Sequence, residues 1–109
     1  MELMRENEAT LLELGYAPGV ELAPRRVNFN LVFPDVYVRS AAEPGVTSLG
    51  FDWQDDEDAA EPGTVEATAH LMLQPAAASI TAAEISLIKS IAPMGGNVDG
   101  WGFFRDTEH

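Results

Sequence analysis

Between Arg25 and Phe33 the chain sets Val27, Phe29, Leu31 and Phe33 at every second position, with Arg26, Asn28, Asn30 and Val32 between them. A period of two is the signature of a strand with one buried face, because successive side chains point to opposite sides of a sheet. Such a face needs other strands beside it and another layer over it, so the rest of the chain must supply both.

Further strands are readable downstream. Phe51 and Trp53 alternate with Asp52 and Gln54, and Thr64 to Leu73 places Val65, Ala67, Ala69, Leu71 and Leu73 opposite Glu66, Thr68 and His70. These two runs predict a hairpin. Its connection carries Asp55, Asp56, Glu57, Asp58 and Glu61 before Pro62 and Gly63, a self-repelling run expected to be a solvated tip. After a turn at Gly95 and Gly96, Val98 to Arg105 predicts a last strand holding Trp101, Phe103 and Phe104.

Helical periodicity fills the gaps. Met4, Leu11 and Leu12 give an approximate stripe from Glu2 to Leu14, which Gly15 would end. Tyr16 to Pro24, with Pro18 and Gly19, reads as a loop. Asp35 is placed to cap a helix through Val36, Tyr37, Val38 and Ala41, which Pro44 and Gly45 are expected to interrupt before it resumes towards Leu49. Thr81 with Glu84 spells a capping box and Ile80 with Ile85 the matching staple, predicting a helix start whose buried face is Ile85, Ile88 and Ile91.

Strand, helix, strand, strand, helix, strand after a leading helix is the α+β order of a ferredoxin-like split β-α-β sandwich, a four-stranded antiparallel sheet with two helices on one face. We read residues 1–109 as a single such domain: an N-terminal helix over 1–15, a loop over 16–24 and the core over 25–109. The opposite sheet face needs explaining: the leading helix is placed to cover that face or an edge, or else a partner or a second copy does so, because a large exposed apolar patch usually marks an interaction surface.

The balance of 18 acidic against 6 basic residues, net −12, repels phosphate backbones and anionic membranes and attracts basic surfaces. Direct nucleic-acid and membrane binding are therefore not expected. No run approaches the roughly 20 apolar residues of a membrane span, and the start lacks a signal-peptide pattern, so a cytoplasmic location is expected. With no cysteine there are no disulfides, thiol nucleophiles or cysteine metal ligands. His70 and His109 form no ligand spacing, and no acid pair stands in an apolar surround that would tune it for catalysis. The serines lack a nucleophile-elbow context, and the Gly95–Gly96 turn precedes a strand without lysine rather than a phosphate-binding helix. No enzyme, cofactor or metal is expected.

The run Gly95, Gly96, Asn97, Val98, Asp99, Gly100, Trp101, Gly102 resembles the GG-x-(Y/V)-DGWG ending of the family of the regulator of ribonuclease activity B, the ribonuclease E inhibitors. Leu14–Gly15, Pro24 to Phe29, Leu49–Gly50–Phe51 and Ile80 to Glu84 match other family features in the same order along nearly the whole chain. The resemblance implies a ferredoxin-like fold and a non-enzymatic regulator that binds its ribonuclease away from the catalytic centre and modulates RNA decay. The chain departs from the family pattern at Pro44 and Gly45, which interrupt the first sheet-packing helix, and in ending at His109 without the long acidic tail of some members.

The expected activity is protein binding, with ribonuclease E or another protein bearing a basic segment as partner. Candidate contact residues are Asp55, Asp56, Glu57 and Asp58 in the acidic run and Asp99 and Trp101 near the end. Each has a plainer reading: a charge run is commonly a solvated loop, and a tryptophan in a final strand commonly fills the core. The alternative activity is a dimerising or small-molecule-sensing domain. The sequence leaves the oligomeric state open.

Overall fold

The computed structural model describes residues 2–13, 24–56, 63–74 and 76–103. Three helices, α1 (Glu2–Glu13), α2 (Val36–Ser48) and α3 (Ala77–Ile91), accompany four strands, β1 (Arg25–Phe33), β2 (Asp52–Asp56), β3 (Val65–Leu73) and β4 (Asn97–Phe103). The sheet order is β2-β3-β1-β4 with every pair antiparallel. This is the α+β ferredoxin-like sandwich with an extra N-terminal helix. The expected Gly15 cap, most of the 16–24 loop, Glu57, Asp58 and the end of the last strand beyond Phe103 lie outside the described residues.

The β1 alternation is realised in full: Val27, Phe29, Leu31 and Phe33 are buried beneath the helices. Ala67 and Ala69 on β3 are small and fully buried, so the helix layer sits close to the sheet, and Ala42, Val46, Ile80, Leu87 and Ile91 fill the space between. Phe51 meets Phe29 edge to face at 5.9 Å between ring centres, an arrangement that adds about 0.5–1.5 kcal/mol to simple burial.

Asp35 caps α2 as expected, its carboxylate accepting from the Val38 amide at 2.9 Å. The expected break at Pro44 and Gly45 does not occur: α2 runs through both to Ser48. Pro44 and the Ser40 carbonyl it deprives of an amide both sit on an exposed turn, where water can take the lost bond. Gly45 has a packing reason to be small, since a Cβ there would stand 3.0 Å from the Ser90 hydroxyl of α3.

The capping box is also overturned. α3 begins at Ala77, with Ala76 making no side-chain cap, so Thr81 and Glu84 lie within the helix. Both are buried and serve a tertiary contact described below. The expected face of Ile85, Ile88 and Ile91 is replaced by Ile80, Glu84, Leu87 and Ile91, while Ile88 is exposed. That stripe has helical spacing but contains a glutamate, which is why apolar periodicity alone passes over it.

Gly95 ends the 3₁₀ turn Ala92–Met94 in the left-handed conformation at φ 90°. At Gly96 an added Cβ would lie 2.7 Å from the Phe33 ring and 3.0 Å from Ile91. Phe33 and Ile91 are core residues with no room to retreat, so Gly96→Ala is expected to cost about 1–3 kcal/mol by overpacking, measurable by urea denaturation.

Candidate functional site

The helices lie together on one face of the sheet. α1 packs beside α3, and Leu11 joins the core beneath it. The hinge of this packing is Asn7, 3% exposed, whose amide donates to Thr81 Oγ1 at 2.9 Å and Glu84 Oε1 at 3.1 Å. Its carbonyl accepts from Trp101 Nε1 at 2.8 Å. Trp101 is half-buried, packs on the core and meets Phe103 edge to face at 5.6 Å.

Among the described residues the opposite face carries mainly polar side chains, with Val32 and the exposed Met72 among them and Arg26 beside Met72. Three rows cross it: Gly102–Asn28–His70–Asp52, Gly100–Asn30–Thr68–Gln54 and Asn97–Val32–Glu66–Asp56. The second and third rows are cross-linked to each other. Asn30 Nδ2 donates to Glu66 Oε1 at 2.9 Å, and Thr68 Oγ1 to Asp56 Oδ2 at 3.0 Å. In the first row Asn28 Oδ1 and His70 Nδ1 are shielded and have no hydrogen-bond partner among the described residues, and His70 Nδ1 lies 3.8 Å from Asp52 Oδ2, too far for a hydrogen bond.

The sequence-picked residues fall into separate places. Asp55 and Asp56 occupy β2, one edge of the sheet, whereas Asp99 and Trp101 occupy β4, the other edge. Asp55 points to the helix side, accepting from Trp53 Nε1 at 2.7 Å and lying 3.5 Å from Arg39 Nε. Arg39, largely buried, also donates to the carbonyls of Asp56 and Glu66 at 3.2 Å, fastening α2 to the hairpin. Asp56 points to the open side, and Asp99 is exposed at the irregularity where β4 slips register opposite Asn30 and Leu31.

Sequence reasoning sets His70 aside for want of a ligand spacing and passes over Asn28. A signal for Asn28 existed: asparagine is depleted in strands, yet Asn28 and Asn30 sit at alternate positions on the outward side of the clearest strand in the chain.

One more concavity lies on the helix side. Leu49, Phe51, Leu71 and Leu73 face Ser79, Ala82, Ala83 and Ser86 of α3 across an open, mostly apolar groove of about 360 Å³. Among the described residues no group of three or more histidine or acidic side chains gathers as a metal site, and no helix is long and apolar enough to cross a membrane.

A four-stranded antiparallel sheet with its helices on one face and, among the described residues, a mainly polar opposite face defines a ferredoxin-like α+β sandwich. The chain belongs to the family of the regulator of ribonuclease activity B, whose family model matches residues 5–103. No curated protein matches it.

Proposed function

We propose that this chain is a non-enzymatic regulator that acts by binding a protein, ribonuclease E or another protein with a basic segment, and thereby modulates RNA decay. Family membership carries the reading, because the family is described as regulators of ribonuclease activity. The surface agrees with it physically. A chain of net charge −12 favours a basic partner and repels a phosphate backbone.

Asp55, Asp56, Glu57 and Asp58, with Asp99 and Trp101, stay in this reading as contact candidates. Those on β2 and β4 would touch different parts of a partner, or one partner broad enough to span the sheet. Asp55 already serves Trp53 and Arg39, so its carboxylate contributes less free charge than its neighbours.

The test is a calorimetric titration with the scaffold region of ribonuclease E at low and physiological salt. The screening length shortens from about 30 Å at 0.01 M to about 8 Å at 0.15 M, so a charge-guided complex is expected to weaken by about tenfold or more over that range. Neutralising Asp55, Asp56, Glu57 and Asp58 together is expected to flatten the salt dependence. No binding at either salt would remove the transferred function.

The helix-side groove supports a second reading, a small-molecule-sensing domain, since about 360 Å³ lies within the range of ligand pockets. A Leu71→Trp substitution, filling the groove, separates the two: it would abolish ligand uptake and leave ribonuclease binding intact.

A further inference from the structure

Among the described residues the sheet ends at β2 on one side and β4 on the other, and an edge strand turns a row of backbone N–H and C=O groups outwards. The two edges differ. On β4, Asn30 pairs with Gly100 and Leu31 with Val98, so Asp99 is an extra residue that opens a bulge. A bulge bends its strand and breaks the ladder, which turns an added strand away. On β2 the pairing with β3 runs from Asp52↔His70 to Asp56↔Glu66 without a shift. Arg39 takes the Asp56 carbonyl at the far end of β2, and the strand before it is an unbroken template.

The side chains of β2 decide which strand can join. Asp52, Gln54 and Asp56 line the open side, and Trp53 and Asp55 the helix side. Asp52 is 76% exposed, and Asp56, which accepts from Thr68, stands in register with Glu66. Carboxylates therefore stand at both ends of the open side of β2. Trp53 rests on Phe33 and is only half-buried, which leaves apolar surface at the edge. Side chains directly opposite on neighbouring strands stand about 4.5–5.5 Å apart, so opposite charges favour a pairing and like charges oppose it. A second copy pairing β2 with β2 would bring these acids against one another. The carboxylates that keep the edge from self-association thus select a strand of opposite charge.

Resting on the reading of this chain as a regulator that binds a basic protein, we infer that the free edge of β2 takes an extended segment of that partner as an added strand. Its basic side chains, four residues apart, lie against Asp52 and Asp56, and an apolar one on its other face lies against Trp53. Backbone hydrogen bonds supply the affinity and the alternate side chains the specificity. Asp55 stays with Trp53 and Arg39.

The probe is a capped nine-residue peptide of alternating threonine and valine with arginine in place of the third and seventh residues, a β-branched sequence that favours the extended form. The full chain, ¹⁵N-labelled, is followed by amide exchange. With the peptide at about ten times its dissociation constant, exchange of the outward amides between Asp52 and Asp56 should slow by about tenfold, and exchange in β4 should not change. The same peptide N-methylated at its central amides keeps its charges and loses its donors, and should bind at least about tenfold more weakly. Moving the second arginine beside the first, onto the opposite face, should also weaken binding. Asp52→Asn combined with Asp56→Asn should cost about tenfold in affinity, and Asp99→Asn should leave it unchanged.

A methylated peptide that binds as well as its parent would mean charge attraction without strand addition and overturn the inference, as would protection that falls on β4 or a parent peptide that does not bind at millimolar concentration. Adjacent arginines binding as well as spaced ones would overturn the register over Asp52 and Asp56. With the ribonuclease fragment as titrant, binding that leaves exchange in β2 unchanged sinks this inference while the regulator reading stands. A fragment that does not bind the unaltered chain sinks the reading itself, whatever the peptides do.

Discussion

Trp101→Ala is expected to lower the unfolding free energy by about 3 kcal/mol, the lower end of the range for removing a large aromatic side chain from a core. The indole is half-buried rather than fully enclosed, which limits the loss of apolar contact. It also packs on Phe103 and donates to Asn7, so the substitution removes a ring contact and leaves the Asn7 carbonyl without its donor. Domains of this size have only about 5–15 kcal/mol in total, so the variant should unfold at a clearly lower urea concentration with an unchanged slope. Trp101→Phe keeps a ring and loses the N–H, and should cost nearer 1 kcal/mol. An alanine variant as stable as the parent would show that the indole does not hold the fold, and would strengthen its candidacy as a contact residue.

The fold was legible where its cause is local. The alternation over Arg25 to Phe33 depends only on which residues point inwards, and Asp35 caps α2 because a carboxylate three residues before an amide needs no tertiary help. Legibility failed where one local pattern serves two physical ends. A threonine followed three residues later by glutamate caps a helix when it stands at the start, but on α3 the same pair faces another helix 74 and 77 residues away in sequence. Nothing local distinguishes these cases. Pro44 misled for the related reason that its cost depends on whether the freed carbonyl can reach water, which is a property of the surface and not of the sequence.

The site shows the same division. Runs of acid draw the eye in a sequence because they are contiguous, whereas the Asn28–His70–Asp52 row is assembled from three strands and has no contiguous trace. The folded arrangement also redistributes the acids, engaging Asp55 with Trp53 and Arg39 on the helix side while Asp52 stands largely exposed on the open side, beside His70. Charge count therefore gives the sign of the surface and not where on the fold its carboxylates are engaged or exposed.

Asn7→Ala should be as damaging as the loss of the indole, at about 3–5 kcal/mol, although it removes only a small polar side chain. Asn7 is the donor to Thr81 and Glu84 and the acceptor for Trp101, so one truncation strands three buried or half-buried groups, one of them a carboxylate. Each orphaned group costs about 1–3 kcal/mol, and more when it is charged, though the three share one network and will not add in full. Because α1 is joined to α3 through this network and through Leu11, the loss should be concentrated there. Hydrogen exchange is expected to accelerate across Glu2 to Glu13 before it does so in β1 or β3. A double-mutant cycle of Asn7→Ala with Glu84→Leu should show strong coupling, since the second change removes the stranded carboxylate and restores part of the stability that the first one lost. If Asn7→Ala costs less than about 1 kcal/mol and α1 exchanges as before, the polar network is incidental and the apolar contacts of Leu11 alone hold the leading helix in place.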